Sequence, residues 1–207
     1  MQHLNRITGY PALLSWSRAC LDWWETVAQS RTALGVMFLW AVGEAMVWPI
    51  IPEALLVPMA AGAGRAFPRV WAAAVLGAAL GSVAMYAFSL SLPTVALALL
   101  AHIPGAQDEK MARAATLLAE RGPGAFWAQP WTGIPFKVFA VLGALQHLDI
   151  WQAIPISISA RGLRMAVTGG AVALVAWPLR RFVRDFFLLL AAVYLVSFGY
   201  GWWITQM

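Results

Sequence analysis

Three segments of the chain are apolar over about the length that a helix needs to cross a bilayer: Val70 to Leu92, Ile150 to Trp177 and Phe186 to Ile204. A hydrocarbon core of roughly 30 Å takes about 20 mostly apolar residues per helix, and only helices or closed barrels satisfy their backbone groups there. The first segment also carries Gly77 and Gly81 in a G-x-x-x-G arrangement that permits close helix approach. The sequence therefore predicts an all-α integral membrane protein with several passes.

The composition and charge of the chain favour a membrane rather than a nucleic acid as its partner. Among its 207 residues, 61% are hydrophobic and 11% are charged, whereas a soluble domain has about a quarter charged residues. The net charge is +5, but the arginines lie beside hydrophobic segments, as the positive-inside rule predicts, and no nucleic-acid-binding motif accompanies them. One cysteine, Cys20, and three scattered histidines give no pattern for a metal site, so we expect no cofactor.

The charge and hydropathy pattern divides the chain into three regions. Residues 1–31 are expected to form an interfacial amphipathic helix, because apolar residues recur at helical spacing between charged ones. Residues 32–178 form the membrane domain. Residues 179–207 contain an arginine-rich loop and a last transmembrane helix, and the arginines of that loop are expected to face the cytoplasm.

Prolines interrupt two apolar stretches of the membrane domain, at residues 32–62 and 122–147. Proline removes a backbone hydrogen bond from a helix and breaks it. We therefore interpret each stretch as a re-entrant hairpin rather than a pair of full spans. The residues expected to shape the two hairpins are Pro49, Pro52, Gly62, Pro130 and Pro135.

The two hairpins are each followed by a full span, which suggests a repeat. If Arg65 and Arg69 are cytoplasmic, the first long span runs outward and the second runs inward, so the hairpins enter from opposite faces. This is an inverted-topology repeat, a common plan for secondary transporters. The alternative is a coincidental placement of prolines, since no residue-by-residue similarity relates the halves.

Ionisable residues at membrane depth are divided by sign between the two halves. The first hairpin supplies Glu44 and Glu53, and the second half supplies Lys137, Arg161 and Arg164. Each such group costs about 2.5 to 3.5 kcal/mol on insertion scales, so it is usually paired, hydrated or functional. If the hairpin tips meet near the midplane, these groups face one another across a polar cavity.

The basic side chains are suited to an anionic lipid headgroup, because guanidinium and ammonium groups bind phosphate. The carboxylates are suited to proton coupling, since burial and a nearby arginine shift a carboxyl pKa in opposite directions. Gln129, Thr132 and Tyr86 are candidates for a polar lining. The alternative is that the charges only pair with each other and stabilise the fold. That alternative is strongest for Arg164, three residues after Arg161.

Two segments carry a specific order of motifs. Glu44 to Gly62 reads EAMVWPIIPEALLVPMAAG, and Gln129 to Met165 contains QPWTGIPFKVF and SARGLRM, with LGAALGSVAMY between them. Together they resemble the DedA or VTT-domain (SNARE-associated) membrane protein family, in particular its YqaA-like branch. The resemblance covers about Leu34 to Gly170. The chain departs from the commoner DedA pattern in two places. The family commonly has arginines around the proline of the second hairpin, where this chain has Gln129 and Lys137, and it commonly has an aspartate where this chain has Ser82.

The resemblance implies two opposed re-entrant hairpins and lipid transport across the bacterial cytoplasmic (inner) membrane. The lipid implied is undecaprenyl phosphate or a phospholipid, and related eukaryotic proteins are scramblases. By motif, Glu44 and Glu53 correspond to the family's acidic pair, and Lys137 and Arg161 to the basic partners.

We therefore expect a flippase, scramblase or other transporter of an anionic lipid carrier, with protons as a candidate coupling ion, and not an enzyme. One alternative is an intramembrane lipid-modifying enzyme, although the sequence has no H-E-x-x-H or G-x-S-x-G motif. Another is an envelope assembly or stress-tolerance factor without transport activity. The sequence leaves the oligomeric state open.

Overall fold

The computed structural model describes residues 10–103, 106 and 108–206, and these residues form ten α-helices and no β-strand. The first nine residues of the predicted N-terminal region lie outside the described part. The helices are α1 Tyr10–Ala28, α2 Arg31–Met46, α3 Glu53–Ala63, α4 Phe67–Ser91, α5 Pro93–Leu100, α6 Asp108–Arg121, α7 Ala125–Ala128, α8 Phe136–Leu145, α9 Ile150–Ala176 and α10 Arg180–Gln206.

Three helical stretches are long and apolar enough to cross a membrane: Glu53–Ser91, Ile150–Ala176 and Arg180–Gly201. The first comprises α3 and α4, which are joined by a 3₁₀ turn at Gly64–Ala66. The apolar helix Phe136–Leu145 is too short to span. The prediction of an all-helical chain with helices of membrane-spanning length is therefore confirmed for the described residues.

The two long helices α4 and α9 run antiparallel. At one end the Arg65 guanidinium, just before α4, lies 5.0 Å from the ring centroid of Trp177, just after α9. Near the opposite ends the Tyr86 hydroxyl donates a hydrogen bond to the backbone carbonyl of Leu148. Between them the indole N–H of Trp71 donates to the Gly162 carbonyl at 2.9 Å. The other membrane-domain helices pack around this antiparallel pair.

Helix α2 packs closely along α4, and the glycines of the G-x-x-x-G arrangement make this possible. A Cβ atom at Gly77 would lie 2.2 Å from the Phe38 carbonyl oxygen, and one at Gly81 would lie 2.7 Å from the Val42 carbonyl oxygen. Only a residue without a side chain permits the backbones to approach this closely.

Both proline-rich segments interrupt the helices where the sequence predicts it. Helix α2 ends at Met46, and α3 begins only after Pro52. In the second half, short turns lead from Gly122 to Trp131, and α8 begins directly after Pro135. We call residues 47–52 the first break and residues 129–135 the second break.

Two expectations about shape are wrong. Gly62 does not turn the chain: it lies inside α3, where a Cβ would be 2.6 Å from Cδ1 of Trp24, and the left-handed backbone is at Gly64, with φ of 52°. The arginines after Pro178 are not in a loop, because α10 begins at Arg180. Proline is favourable just before a helix, and the arginines that follow Pro178 lie in the first turns of α10.

Helix α1 is held against the start of α10 by three ion pairs rather than lying free at the interface. The pairs are Arg18–Asp185, Arg184–Asp22 and Arg180–Glu25, the first two at 2.7 Å. The Ser17 hydroxyl adds a hydrogen bond to the Arg184 carbonyl at 3.1 Å. Helix α1 and the first turns of α10 therefore form one paired unit.

The contact between α2 and α4 predicts that Gly77→Ala lowers stability. The added methyl overlaps a backbone carbonyl, which cannot move aside as a flexible side chain can, and such overpacking costs about 1–3 kcal/mol. The measurement is thermal unfolding of the detergent-solubilised protein. The matched control is Gly35→Ala on α2, where a Cβ meets nothing within 4 Å. Equal melting temperatures for the two variants would contradict this packing.

Candidate functional site

A cavity of about 430 Å³ lies where the two breaks meet α9. Glu44 on α2 and Pro49 in the first break form one side, and Pro130 and Pro135 in the second break form another. Helices α6, α8, α9 and α10 complete the wall. The irregular backbone of both breaks therefore borders one shared space.

Arg161 on α9 is the most constrained charged residue at this cavity. Its guanidinium forms an ion pair with the Glu44 carboxylate, and the arginine and glutamate are 3% and 7% exposed. It also donates to the Ser82 hydroxyl at 3.2 Å and lies 4.8 Å from the ring centroid of Phe136. Contacts from α2, α4 and α8 therefore fix one guanidinium.

Arg164, one helical turn after Arg161, connects α3 to the second break. Its Nε donates to Oε1 of Glu53 at 2.7 Å, and one terminal nitrogen donates to the Pro130 carbonyl at 3.0 Å. The second carboxylate oxygen of Glu53 is buried and has no hydrogen-bond partner among the described residues. Both arginines of α9 therefore pair with a glutamate from the first half, and each remains on the cavity wall.

Lys137 on α8 is buried at the cavity, with 2% of its surface exposed. Its ammonium donates to the backbone carbonyl of Trp48 at 2.8 Å. That carbonyl is available because α2 ends at Met46 and the first break follows. Among the described residues Lys137 forms no ion pair, and the Trp48 carbonyl is its hydrogen-bond partner.

Lys110 on α6 also lines the cavity, and the sequence analysis did not identify it as a candidate. The available signal was its spacing: Lys110, Ala114 and Leu118 recur every four residues, and the last two are buried. Residues four apart share a helix face. With Lys110 included, four basic groups line the cavity, with Glu44 on its wall and Glu53 paired with Arg164.

Three residues of α10 also line the cavity and were not predicted: Ser197, Phe198 and Gly201. The sequence analysis treated α10 as a separate span outside the membrane domain. Two small residues four positions apart, Ser197 and Gly201, are the signal that a neighbouring element approaches closely here.

The structure places the three candidates for the polar lining in different surroundings. Gln129 lines the cavity, donates from its side-chain nitrogen to the Ile134 carbonyl at 2.8 Å, and has a buried side-chain oxygen without a partner among the described residues. Thr132 is instead used within the second break, where its hydroxyl donates to the Gln129 carbonyl at 2.8 Å. Tyr86 is in the hydrophobic core, where its hydroxyl is satisfied by the Leu148 carbonyl.

The described residues contain no group of three or more histidine, cysteine, aspartate or glutamate side chains placed to hold a metal ion. What the site offers is a set of positively charged donors and two carboxylates around a cavity. Such donors bind an oxyanion, and a single guanidinium group can donate two parallel hydrogen bonds to a phosphate.

No family model, curated protein or solved structure matches this chain. The similarity to the DedA or VTT-domain family therefore rests on the quoted motifs, and the function has to be argued from the site itself.

The buried Glu44–Arg161 pair predicts a non-additive effect on stability. We expect Arg161→Met alone to lower the free energy of unfolding by about 3–5 kcal/mol, because it leaves a carboxylate buried without its partner. Adding Glu44→Gln to this variant should restore much of the loss. Denaturation of the purified single and double variants measures the coupling. Strictly additive losses would show that the two side chains are not paired.

Proposed function

We propose that the protein moves an anionic lipid carrier between the leaflets of a bacterial inner membrane, as a flippase or scramblase, and binds the lipid phosphate in the charged cavity. The observation that carries this proposal is the imbalance of charge at the cavity. Four basic side chains line the cavity, namely Lys137, Arg161, Arg164 and the half-buried Lys110, whereas Glu44 is the carboxylate on its wall and Glu53 pairs with Arg164. An uncompensated buried charge is costly, and a phosphate ester supplies the missing negative charge.

The two breaks support a site at membrane depth. Non-helical backbone inside the hydrocarbon is tolerated only where protein covers it or where it lines a water-filled cavity. Here the free carbonyls of Trp48 and Pro130 accept hydrogen bonds from Lys137 and Arg164. We interpret both breaks as the tips of re-entrant hairpins, at the midplane position where inverted-repeat transporters bind their substrates.

The antiparallel course of α4 and α9 supports hairpins that enter from opposite faces. Arg65 and Arg69 at the start of α4 lie at the same end of the molecule as the arginines at the start of α10. The positive-inside rule places that end in the cytoplasm. The second hairpin then starts from the opposite side, which completes the inverted-topology interpretation.

The carboxylates give this site a means of coupling to protons. Glu44 and Glu53 each occupy a guanidinium that the lipid phosphate also needs. Protonation of either carboxylate weakens its hold on the arginine and frees donors for the phosphate, since charge-assisted hydrogen bonds are the stronger ones. By its resemblance to the DedA family, the lipid is undecaprenyl phosphate or a phospholipid.

The proposed topology predicts that cysteines at Ala66 and Gln146 are labelled from opposite faces. Both positions lie outside the long helices α4 and α9, at the turn before α4 and in the turn between α8 and α9. The test uses a Cys20→Ala background and an impermeant thiol reagent on whole cells and on inverted vesicles. Labelling of both positions from one face would refute opposed hairpins.

The transport proposal predicts that Lys137→Gln and Arg164→Gln each slow lipid movement by roughly 10- to 100-fold, the equivalent of about 1.5–3 kcal/mol for a hydrogen bond to a charged group. The control is Arg113→Gln, which removes an exposed charge from α6. The assay follows a fluorescent lipid phosphate in liposomes, with an impermeant reductant that reports the outer leaflet.

Three results would contradict parts of the proposal. Wild-type protein that moves no lipid phosphate excludes transport of that lipid. Variants that equal the wild type exclude the site. Recovery of a chemically changed lipid, measured by mass spectrometry, favours the lipid-modifying enzyme instead.

A further inference from the structure

An apolar cleft of about 660 Å³ lies between α3, α9 and α10, separate from the charged cavity. Its walls are almost entirely hydrocarbon, and it contains no acidic or basic side chain. Side chains that define the walls are Val57 on α3, Val172 and Val175 on α9, and Ala191 and Leu195 on α10. The proposed phosphate site leaves this space without a role.

The cleft and the charged cavity are consecutive along α10. The α10 residues of the cleft run from Val183 to Leu195, and those of the cavity follow directly, from Ser197 to Gly201. At 1.5 Å per residue, the cleft extends along about 18 Å of the helix. That length is close to one leaflet, which is half of a hydrocarbon core of roughly 30 Å.

Tyr194 joins the two spaces. It lines the cleft, and its hydroxyl donates to the backbone carbonyls of Glu53 at 3.0 Å and Ala54 at 3.3 Å. The Ala54 carbonyl lacks its usual helical donor, because the residue four positions on is Pro58. The side chain of the same Glu53 holds Arg164. One end of the cleft therefore lies beside the charged site.

Helix α10 is attached unevenly to the rest of the molecule. Its first turns are held by the ion pairs to α1, and its backbone departs from helical geometry at Phe186, with φ of −115°. Beyond that residue, the hydrogen bonds to other helices described by the structure are one from the Leu188 N–H to the Ser17 hydroxyl at 3.4 Å and those of Tyr194. The part of α10 that covers the cleft is thus the part with fewer polar attachments.

We propose that the cleft binds the hydrocarbon chain of the lipid whose phosphate occupies the charged cavity, and that α10 forms the movable outer wall. This inference rests on the proposed function and adds the position of the lipid tail. A phosphate bound near Arg164 places its attached chain at the cavity end of the cleft. The substrate class is therefore an amphiphile with a phosphate head and at least one long chain, rather than a free phosphate.

Other occupants of the cleft fit less well. A water-soluble ligand gains nothing from walls without polar groups. A hydrocarbon chain needs no polar partners and is stabilised by burial against apolar walls.

The test is photolabelling with a phosphatidylglycerol that carries a diazirine in its acyl chain, added in trace amounts to phosphatidylcholine vesicles that contain the wild-type protein. Mass spectrometry of the digested protein locates the adducts. We expect adducts concentrated on cleft residues of α3, α9 and α10. A phosphatidylcholine with the same photoreactive chain should label the cleft less, because its net-neutral headgroup is not drawn to the cavity.

Two matched variants test occupancy of the cleft. Ala191→Trp fills it and should lower cleft adducts and lipid movement by at least about tenfold, whereas Ala192→Trp places the same side chain at the neighbouring exposed position and should change neither. Thermal unfolding of both variants in detergent confirms that each is folded. Equal adducts in the two variants, or equal cleft labelling by the two lipids, would overturn the inference.

The outcomes separate this inference from the transport proposal. Cleft adducts that Ala191→Trp removes, in a protein that moves no lipid, support the tail site and reject transport. Lipid movement by the wild type with adducts spread evenly over the outer surfaces of α9 and α10 supports transport and rejects the tail site.

Discussion

The arrangement of this protein depends on two arginines, one turn apart on α9, that bind carboxylates from the other half of the chain. Arg161 holds Glu44 at the end of α2, and Arg164 holds Glu53 at the start of α3, so the two sides of the first break are fixed to one helix. Burial of unpaired charges would destabilise the fold by several kcal/mol, which makes each pair dependent on its partner. A charged site and a stable fold are therefore built from the same contacts, and any anion that enters the cavity competes with the groups that hold it together.

The prolines matter because they leave backbone carbonyls without helical donors at the same place. Lys137 donates a hydrogen bond to the Trp48 carbonyl, and Arg164 donates one to the Pro130 carbonyl, so each break is stabilised by a basic side chain. Tyr194 satisfies the carbonyl that Pro58 leaves free in α3. Interrupted helices and basic residues thus depend on each other, because a carbonyl that loses its helical donor needs another hydrogen-bond partner. In the proposed function the side chains of Lys137 and Arg164 also donate hydrogen bonds to the lipid phosphate.

Much of the fold and part of the candidate site could be predicted from the sequence, because the length of apolar segments, the positions of prolines and charges within apolar segments are local signals. They indicated three helices of membrane-spanning length, both breaks, and five of the ionisable residues near the cavity. The sequence could not predict which glutamate pairs with which arginine. Glu44 and Arg161 are far apart in the sequence, and either glutamate could form an ion pair with either arginine. Gly62 was misplaced because a glycine at a turn and a glycine beneath Trp24 look the same in one sequence. Lys110 and the cavity residues of α10 were missed because their role depends on how peripheral helices pack back onto the centre.

The proposed function requires a water-accessible cavity with excess positive charge between the two breaks. The most direct measurement is the rate at which a cysteine at Ile51, a cavity residue, reacts with water-soluble thiol reagents of opposite charge in a Cys20→Ala background. We expect the ratio of the anionic to the cationic reaction rate to be higher at this position than at an exposed reference cysteine. Lys137→Gln should lower that ratio, because it removes a positive charge from the cavity. A cysteine that reacts with neither reagent, or with both at the reference ratio, would contradict the account.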